Sequence, residues 1–203
     1  LDYMRKMATD GLYAAGRYGD WVPVEPSPKK TLAGAYQYLS IKLLAEMAQG
    51  IGKTSDAAEL RRQAASIASL YNQRYFNVET NQYEGNTQTA NLVPLWFGIT
   101  PEDKRAAVVE NIAKNIIDHD NHLTTGFIGT AYLMPALSTF GRDDLAGIPD
   151  VGFMISCSRL ARSYNNLICG LRRPGPGIAD YPSERRLRTR DECRLRMAQQ
   201  FAQ

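Results

Sequence analysis

Between positions 31 and 75 the apolar residues recur every three or four positions, and the run is broken only once, by Gly50-Ile51-Gly52-Lys53. Residues 31–50 place Leu32, Tyr36, Leu39, Leu43 and Met47 on one face of an amphipathic helix. Thr54 is set to cap a second helix, whose stripe is Leu60, Ala64, Ile67, Tyr71 and Tyr75. Gly50 and Gly52 suit the left-handed turn that closes a helix. Two such helices joined by so short a loop fold back on each other as a hairpin.

The pattern continues downstream. Thr100-Pro101-Glu102-Asp103 combines a capping hydroxyl, a proline for the first turn and two acids facing the helix dipole. The stripe that follows is Val109, Ile112 and Ile116. Helical segments are also expected over residues 2–12, 90–97 and 125–140, although Pro94 and Pro135 each threaten to kink or break theirs. No convincing run of strands is present. The expected class is therefore all-α, and three architectures fit: a bundle, a solenoid or a toroid of hairpins. No self-similarity at a fixed period supports a repeat array.

Composition excludes more than it selects. The net charge is +3 and carries no nucleic-acid footprint, and no apolar run approaches the roughly 20 residues that cross a bilayer. The opening residues show no leader pattern, but the chain starts at Leu1 rather than Met, so localisation is left open. A break falls near residue 150. Residues 1–150 hold no cysteine and use Lys and Arg equally, for a charge of about −3. Residues 151–203 hold Cys157, Cys169 and Cys193, ten arginines, no lysine and four acids, for a charge of about +6. The cysteine spacings match neither a zinc pattern nor an even disulfide framework, and ordinary free thiols are expected. The expected organisation is one helical domain over 1–150 and an atypical Arg/Cys-rich tail over 151–203.

The loops are rich in chemistry for a plain bundle. Residues 16–30 carry Tyr18, Asp20, Trp21, Glu25 and three prolines, and residues 118–125 carry both histidines with Asp118 and Asp120. Loops on a rigid frame are where binding groups concentrate. In Asp20-Trp21 an indole face suits stacking on a pyranose ring and a carboxylate suits its hydroxyls. Equally, Trp21 anchors a loop and Asp20 makes a local turn. His119 and His122 lack further histidines to complete a metal site, so no metal is expected. Glu25 and the Asp143-Asp144 pair are catalytic candidates by residue type only, the pair being typical of a helix start. No nucleophile elbow, phosphate-cradling loop or Cys/His constellation is present, and no cofactor is expected.

The stretch His122-Leu123-Thr124-Thr125-Gly126-Phe127-Ile128-Gly129-Thr130-Ala131-Tyr132-Leu133 runs from a polar loop into an apolar helix that opens on small residues. Gly126 and Gly129 permit a close backbone approach to a neighbour. Earlier in the chain stand Gly19-Asp20-Trp21 followed by Pro23, then Asn77-Val78-Glu79-Thr80-Asn81-Gln82-Tyr83, Thr87-Gln88-Thr89-Ala90 and Thr100-Pro101-Glu102. Phe140-Gly141-Arg142-Asp143-Asp144-Leu145-Ala146 closes the series. In this order the motifs resemble the bacterial α-L-rhamnosidase catalytic domain over residues 1 to about 146.

The resemblance implies part of an (α/α)6 barrel, a six-hairpin toroid, corresponding to about the second half of the barrel. It also implies inverting hydrolysis of terminal α-L-rhamnosides, in which one carboxylic acid protonates the leaving oxygen. A second carboxylate, about 6.5–9.5 Å away, activates water. The family's acid motif lies N-terminal to these landmarks, and its base motif, of the type Gly-Ala-Thr-Thr-x-Trp-Glu, has no counterpart here. No catalytic residue is carried over. Asp20, Trp21 and His122 are carried over as substrate-binding positions, with a rhamnose-containing glycoside as the implied partner and neither nucleic acid nor membrane.

If Arg162-Ser163-Tyr164-Asn165-Asn166-Leu167 is encoded CGG-AGC-TAC-AAC-AAT-CTG, reading one nucleotide later yields Gly-Ala-Thr-Thr-Ile. On that reading the tail is an out-of-frame translation. The alternative is a natural basic extension that binds an acidic partner. For the chain as a whole, the alternative to a glycosidase fragment is a non-catalytic helical scaffold or a carbohydrate-binding remnant.

Overall fold

The computed structural model describes residues 1–146. In chain order these form α1 (Asp2–Lys6), β1 (Ala8–Thr9), β2 (Leu12–Tyr13), α2 (Lys29–Gly50), α3 (Thr54–Tyr75), β3 (Phe76–Asn77), β4 (Gln82–Tyr83) and α4 (Gln88–Phe97). A 3-10 turn (Glu102–Lys104) then leads into α5 (Arg105–Asp118), α6 (Phe127–Thr139) and α7 (Asp143–Ala146). The strands are two residues long and pair as isolated antiparallel hairpins, so the helical class stands.

Helices α2 and α3 form the hairpin that their periodicity requires. Gly34 of α2 lets the backbone lie against Tyr71 of α3, where even a β-carbon would stand 3.2 Å from the ring. Tyr71 meets Tyr75 and Tyr83, and Phe76 meets Tyr83, so an aromatic cluster fills the seam and carries the chain into β3–β4. The Tyr83 hydroxyl donates to Asn72 Oδ1 (2.7 Å) and lies 3.0 Å from Thr100 Oγ1. Thr100 is thus buried and spent on Tyr83 rather than capping α5, as the sequence had suggested.

The next layer is built around α4, which touches α2, α5 and α6 and is buried along almost its whole length. Its start is capped by the Thr87 hydroxyl, which accepts from Ala90 N at 3.1 Å. It ends on left-handed Gly98, and Lys42 Nζ donates to the Phe97 carbonyl at 2.9 Å. Pro94 and Pro135 both lie inside continuous helices.

Three local expectations change. Residues 2–12 form no single helix: α1 stops at Lys6, and Asp10-Gly11, both at positive φ, turn the chain into the β1–β2 hairpin. Thr54 lies inside α3, whose N-terminal flank Lys53 offers no side-chain cap. The stripe assigned to α2 is out of phase at its far end. Gln37, Ile41, Ala45 and Ala48 face the interior, whereas Met47 is 62 % exposed. The stripes of α3 and α5 are buried as their spacing requires, apart from Leu60, which is half-buried.

Two outcomes follow. Ile41→Ala should cost about 3 kcal/mol in urea denaturation, while Met47→Ala should change stability by less than about 0.5 kcal/mol. Burial also raises the phenol pKa of Tyr71 and Tyr83. The neutral phenols are favoured in the fold, so their contribution is intact below the ordinary tyrosine value of about 10 and lost as pH rises above it. Phenolate absorbance should therefore show a cooperative step above about pH 10 that coincides with loss of helical circular dichroism.

Candidate functional site

The loops at the N-terminal ends of α4 and α6 and the C-terminal end of α5 converge. The main organiser is Asp20, 6 % exposed. Its Oδ2 accepts from Thr89 Oγ1 at 2.5 Å and Gly126 N at 2.7 Å, and its Oδ1 accepts from Ile128 N at 2.8 Å and Gly129 N at 3.4 Å. These backbone amides are the unpaired donors of the first turn of α6, which has no side-chain cap of its own at Gly126. A carboxylate from another loop caps it and answers its dipole.

The glycines are needed for this approach. A β-carbon on Gly126 would overlap the Trp21 carbonyl oxygen and sit 2.6 Å from Asp20 Oδ1; one on Gly129 would overlap Thr89 Oγ1 and sit 2.7 Å from Thr125. Residue 21 is bound in the same way, since Phe127 N donates to the Trp21 carbonyl at 2.9 Å. The two rings stack with centroids 5.3 Å apart and an interplanar angle of 29°. Both stay open, Trp21 at 72 % and Phe127 at 53 %.

Gln88 holds the histidine loop. Fully buried at the start of α4, it donates from Nε2 to the His122 carbonyl (3.1 Å) and accepts at Oε1 from Thr124 N (3.0 Å). The Thr124 carbonyl in turn accepts from Val24 N and Glu25 N, closing the 20s loop onto the 120s loop. Ser27 Oγ lies 2.5 Å from the capping Thr87 hydroxyl. His119 ends α5 with Nδ1 at 2.7 Å from the Asn115 carbonyl and Nε2 at 3.4 Å from Glu25 Oε1. His122 is exposed, with Nδ1 3.0 Å from the His119 carbonyl.

Asp20, Trp21 and His122 thus share one loop cluster, Asp20 and Trp21 by direct bonds to the turn that opens α6 and His122 through Gln88. Both Asp20 oxygens are occupied by protein donors. The Tyr36 phenol, half-buried near Tyr132 and Asp20, is pushed well above its usual range, mainly by desolvation.

Asp143 and Asp144 belong elsewhere. They start α7 beyond the far end of α6, about 20 Å along a helix of this length. There Asp143 accepts from Ser138, and Asp144 pairs with Arg142, which also reaches Glu110. Arg142 holds the Asp144 carboxyl below the usual carboxylate range.

Among the described residues no group of three or more His, Cys, Asp or Glu is placed to hold a metal ion. No described helix is long and apolar enough to cross a membrane. Sequence reasoning passed over Gln88 as a clamp and Phe127 as a partner for Trp21. Gln88 opens α4 in a polar Gln-Thr-Ala-Asn start ahead of an apolar run, which is a signal; Phe127 was lost among the apolar residues of α6.

Helical hairpins that carry a cluster of polar loops at one end fit a toroid of hairpins, and the family comparison identifies it. Residues 1–147 match the family described as the bacterial α-L-rhamnosidase six-hairpin glycosidase domain, and the chain belongs to that family. It is 34 % identical over 147 residues to an α-L-rhamnosidase of Streptomyces avermitilis, covering 72 % of this chain and 14 % of that protein. The crystal structure of S. avermitilis α-L-rhamnosidase complexed with L-rhamnose superposes with a TM-score of 0.70 at 32 % identity, over 77 % of this chain and 16 % of the other. The structure of α-L-rhamnosidase from Dictyoglumus thermophilum gives 0.69 at 27 % identity, over 77 % and 19 %. The chain therefore spans less than a fifth of the length of these relatives.

Gly129→Ala should destabilise the fold by about 2 kcal/mol, because Thr89 and Thr125 must yield and the Asp20 cap with them. Gly50→Ala, with open space around it, should be neutral or stabilising by up to about 1 kcal/mol. Thermal melts of the two variants provide the comparison.

Proposed function

We propose that residues 1–150 are part of an α-L-rhamnosidase catalytic domain whose intact form hydrolyses terminal α-L-rhamnosides with inversion. The observation that carries this reading is the continuous family match over residues 1–147, joined to a loop cluster that contains the landmarks Asp20, Trp21 and His122. The S. avermitilis relative was crystallised with L-rhamnose, which supports a rhamnose-containing glycoside as the substrate class.

In this reading Trp21 and His122 line the sugar pocket from exposed positions, and Asp20 acts from behind, as the buried cap that holds the loop in place. The acid and the base of the inverting pair are supplied by motifs this chain does not contain. Inversion requires both: one proton to the departing oxygen, one carboxylate to the attacking water. The chain by itself is accordingly inactive. The Arg/Cys-rich tail expected over residues 151–203 lies outside the described residues.

The test pairs the chain with a version extended upstream and corrected to the Gly-Ala-Thr-Thr frame, both assayed on an aryl α-L-rhamnoside. The extended form should turn over and release the inverted anomer first, visible by proton NMR. The chain alone should stay at background, and clear turnover by it would return Glu25 to the list of catalytic carboxylates.

A further inference from the structure

We infer that Phe127 is a specificity-determining contact that, with Trp21, reads the methyl group distinguishing a 6-deoxyhexose from its 6-hydroxyl counterpart. The inference rests on the reading of this loop cluster as a sugar site. Three observations carry it. First, two large rings stand open side by side at the mouth of a polar loop cluster, while most large apolar residues of α4 and α6 are wholly or partly buried. Exposed apolar surface concentrated at one place marks a binding surface.

Second, the pair is registered by the backbone and not by chance contact. Asp20-Trp21 and Gly126-Phe127 are two adjacent dipeptides cross-bonded at both residues: Gly126 N to Asp20 Oδ2, and Phe127 N to the Trp21 carbonyl. Phe127 is also the first residue of α6, whose start Asp20 holds through the following two amides. Third, the chemistry is selective. A bare aromatic wall gains apolar contact from a methyl group, whereas a hydroxyl in its place gives up part of its water to make the same contact, which costs binding.

The experiment uses the full chain with Trp96→Phe, so that Trp21 is the sole indole. Trp21 fluorescence is titrated with methyl α-L-rhamnopyranoside and with methyl α-L-mannopyranoside, its 6-hydroxyl counterpart. The rhamnoside should bind more tightly. Phe127→Ala should weaken the rhamnoside about fourfold, the worth of one methyl-sized apolar burial, and leave the mannoside within about twofold, so that the preference collapses. Phe127→Leu, which keeps an apolar side chain, should retain a preference and guards against loss of fold in the alanine variant.

Equal weakening of both sugars, or no change in either, overturns the inference while leaving the sugar site standing. No saturable response to either sugar in the Trp96→Phe chain overturns the sugar-site reading itself, and this inference with it.

Discussion

A buried carboxylate has to be matched by donors, and a helix start has to be matched by acceptors; in this chain one contact answers both demands. Asp20 meets the first-turn amides of α6 from more than a hundred residues away in sequence. Had the cap come from a neighbouring Ser or Asp, as is usual, α6 would be free to form anywhere. Because it comes from the 20s loop, α6 reaches a satisfied state only when that loop is in place. The close approach leaves no room for a β-carbon at positions 126 and 129, so the two glycines are part of the same constraint.

The same logic organises α4, which is polar at one end and apolar at the other. Its first residues, Gln88, Thr89 and Asn91, are buried but bonded: Gln88 to the 120s loop, Thr89 to Asp20, Asn91 to Tyr83 N and Asn86. Its later residues, Leu92, Val93, Leu95 and Phe97, enter the hydrophobic core. One rigid element thus spans the core and the loop cluster. Each polar residue of its first turn holds a loop, which is how an irregular surface acquires a defined shape.

Much of the fold was legible because its helices are long and periodic. The stripes of α3 and α5 follow directly from spacing. The far half of α2 did not, since its interior face is made of Ala45 and Ala48 while its larger residue, Met47, faces outward. Size misleads where a helix packs closely on small residues. The β1–β2 hairpin carried the Asp10-Gly11 signal, which a helical reading of its neighbours overrode. At the site, the glycines pointed to a close approach, while Asp20-Trp21 was open to two readings from spacing alone, a sugar contact or a loop anchor. What spacing cannot supply is the partner: nothing local says that Asp20 caps α6, or that Phe127 lies against Trp21.

One feature of α6 joins the fold to the family. From Phe127 to Leu137 it is apolar on nearly every side, yet Ile128, Ala131, Tyr132, Met134 and Pro135 are only half-buried among the described residues. A helix apolar all round has the composition of one surrounded by others. The family domain is built of six hairpins, whereas five helices of ten or more residues lie within the described residues. The open flanks of α6 therefore have the character of interior surface, in contrast to its first turn, where Asp20 satisfies the backbone and Phe127 stays open beside Trp21. That difference separates what α6 needs for packing from what it presents at the loop end. It is the reason an exposed Phe127 reads as part of a site, while the equally apolar residues further along the helix read as seams.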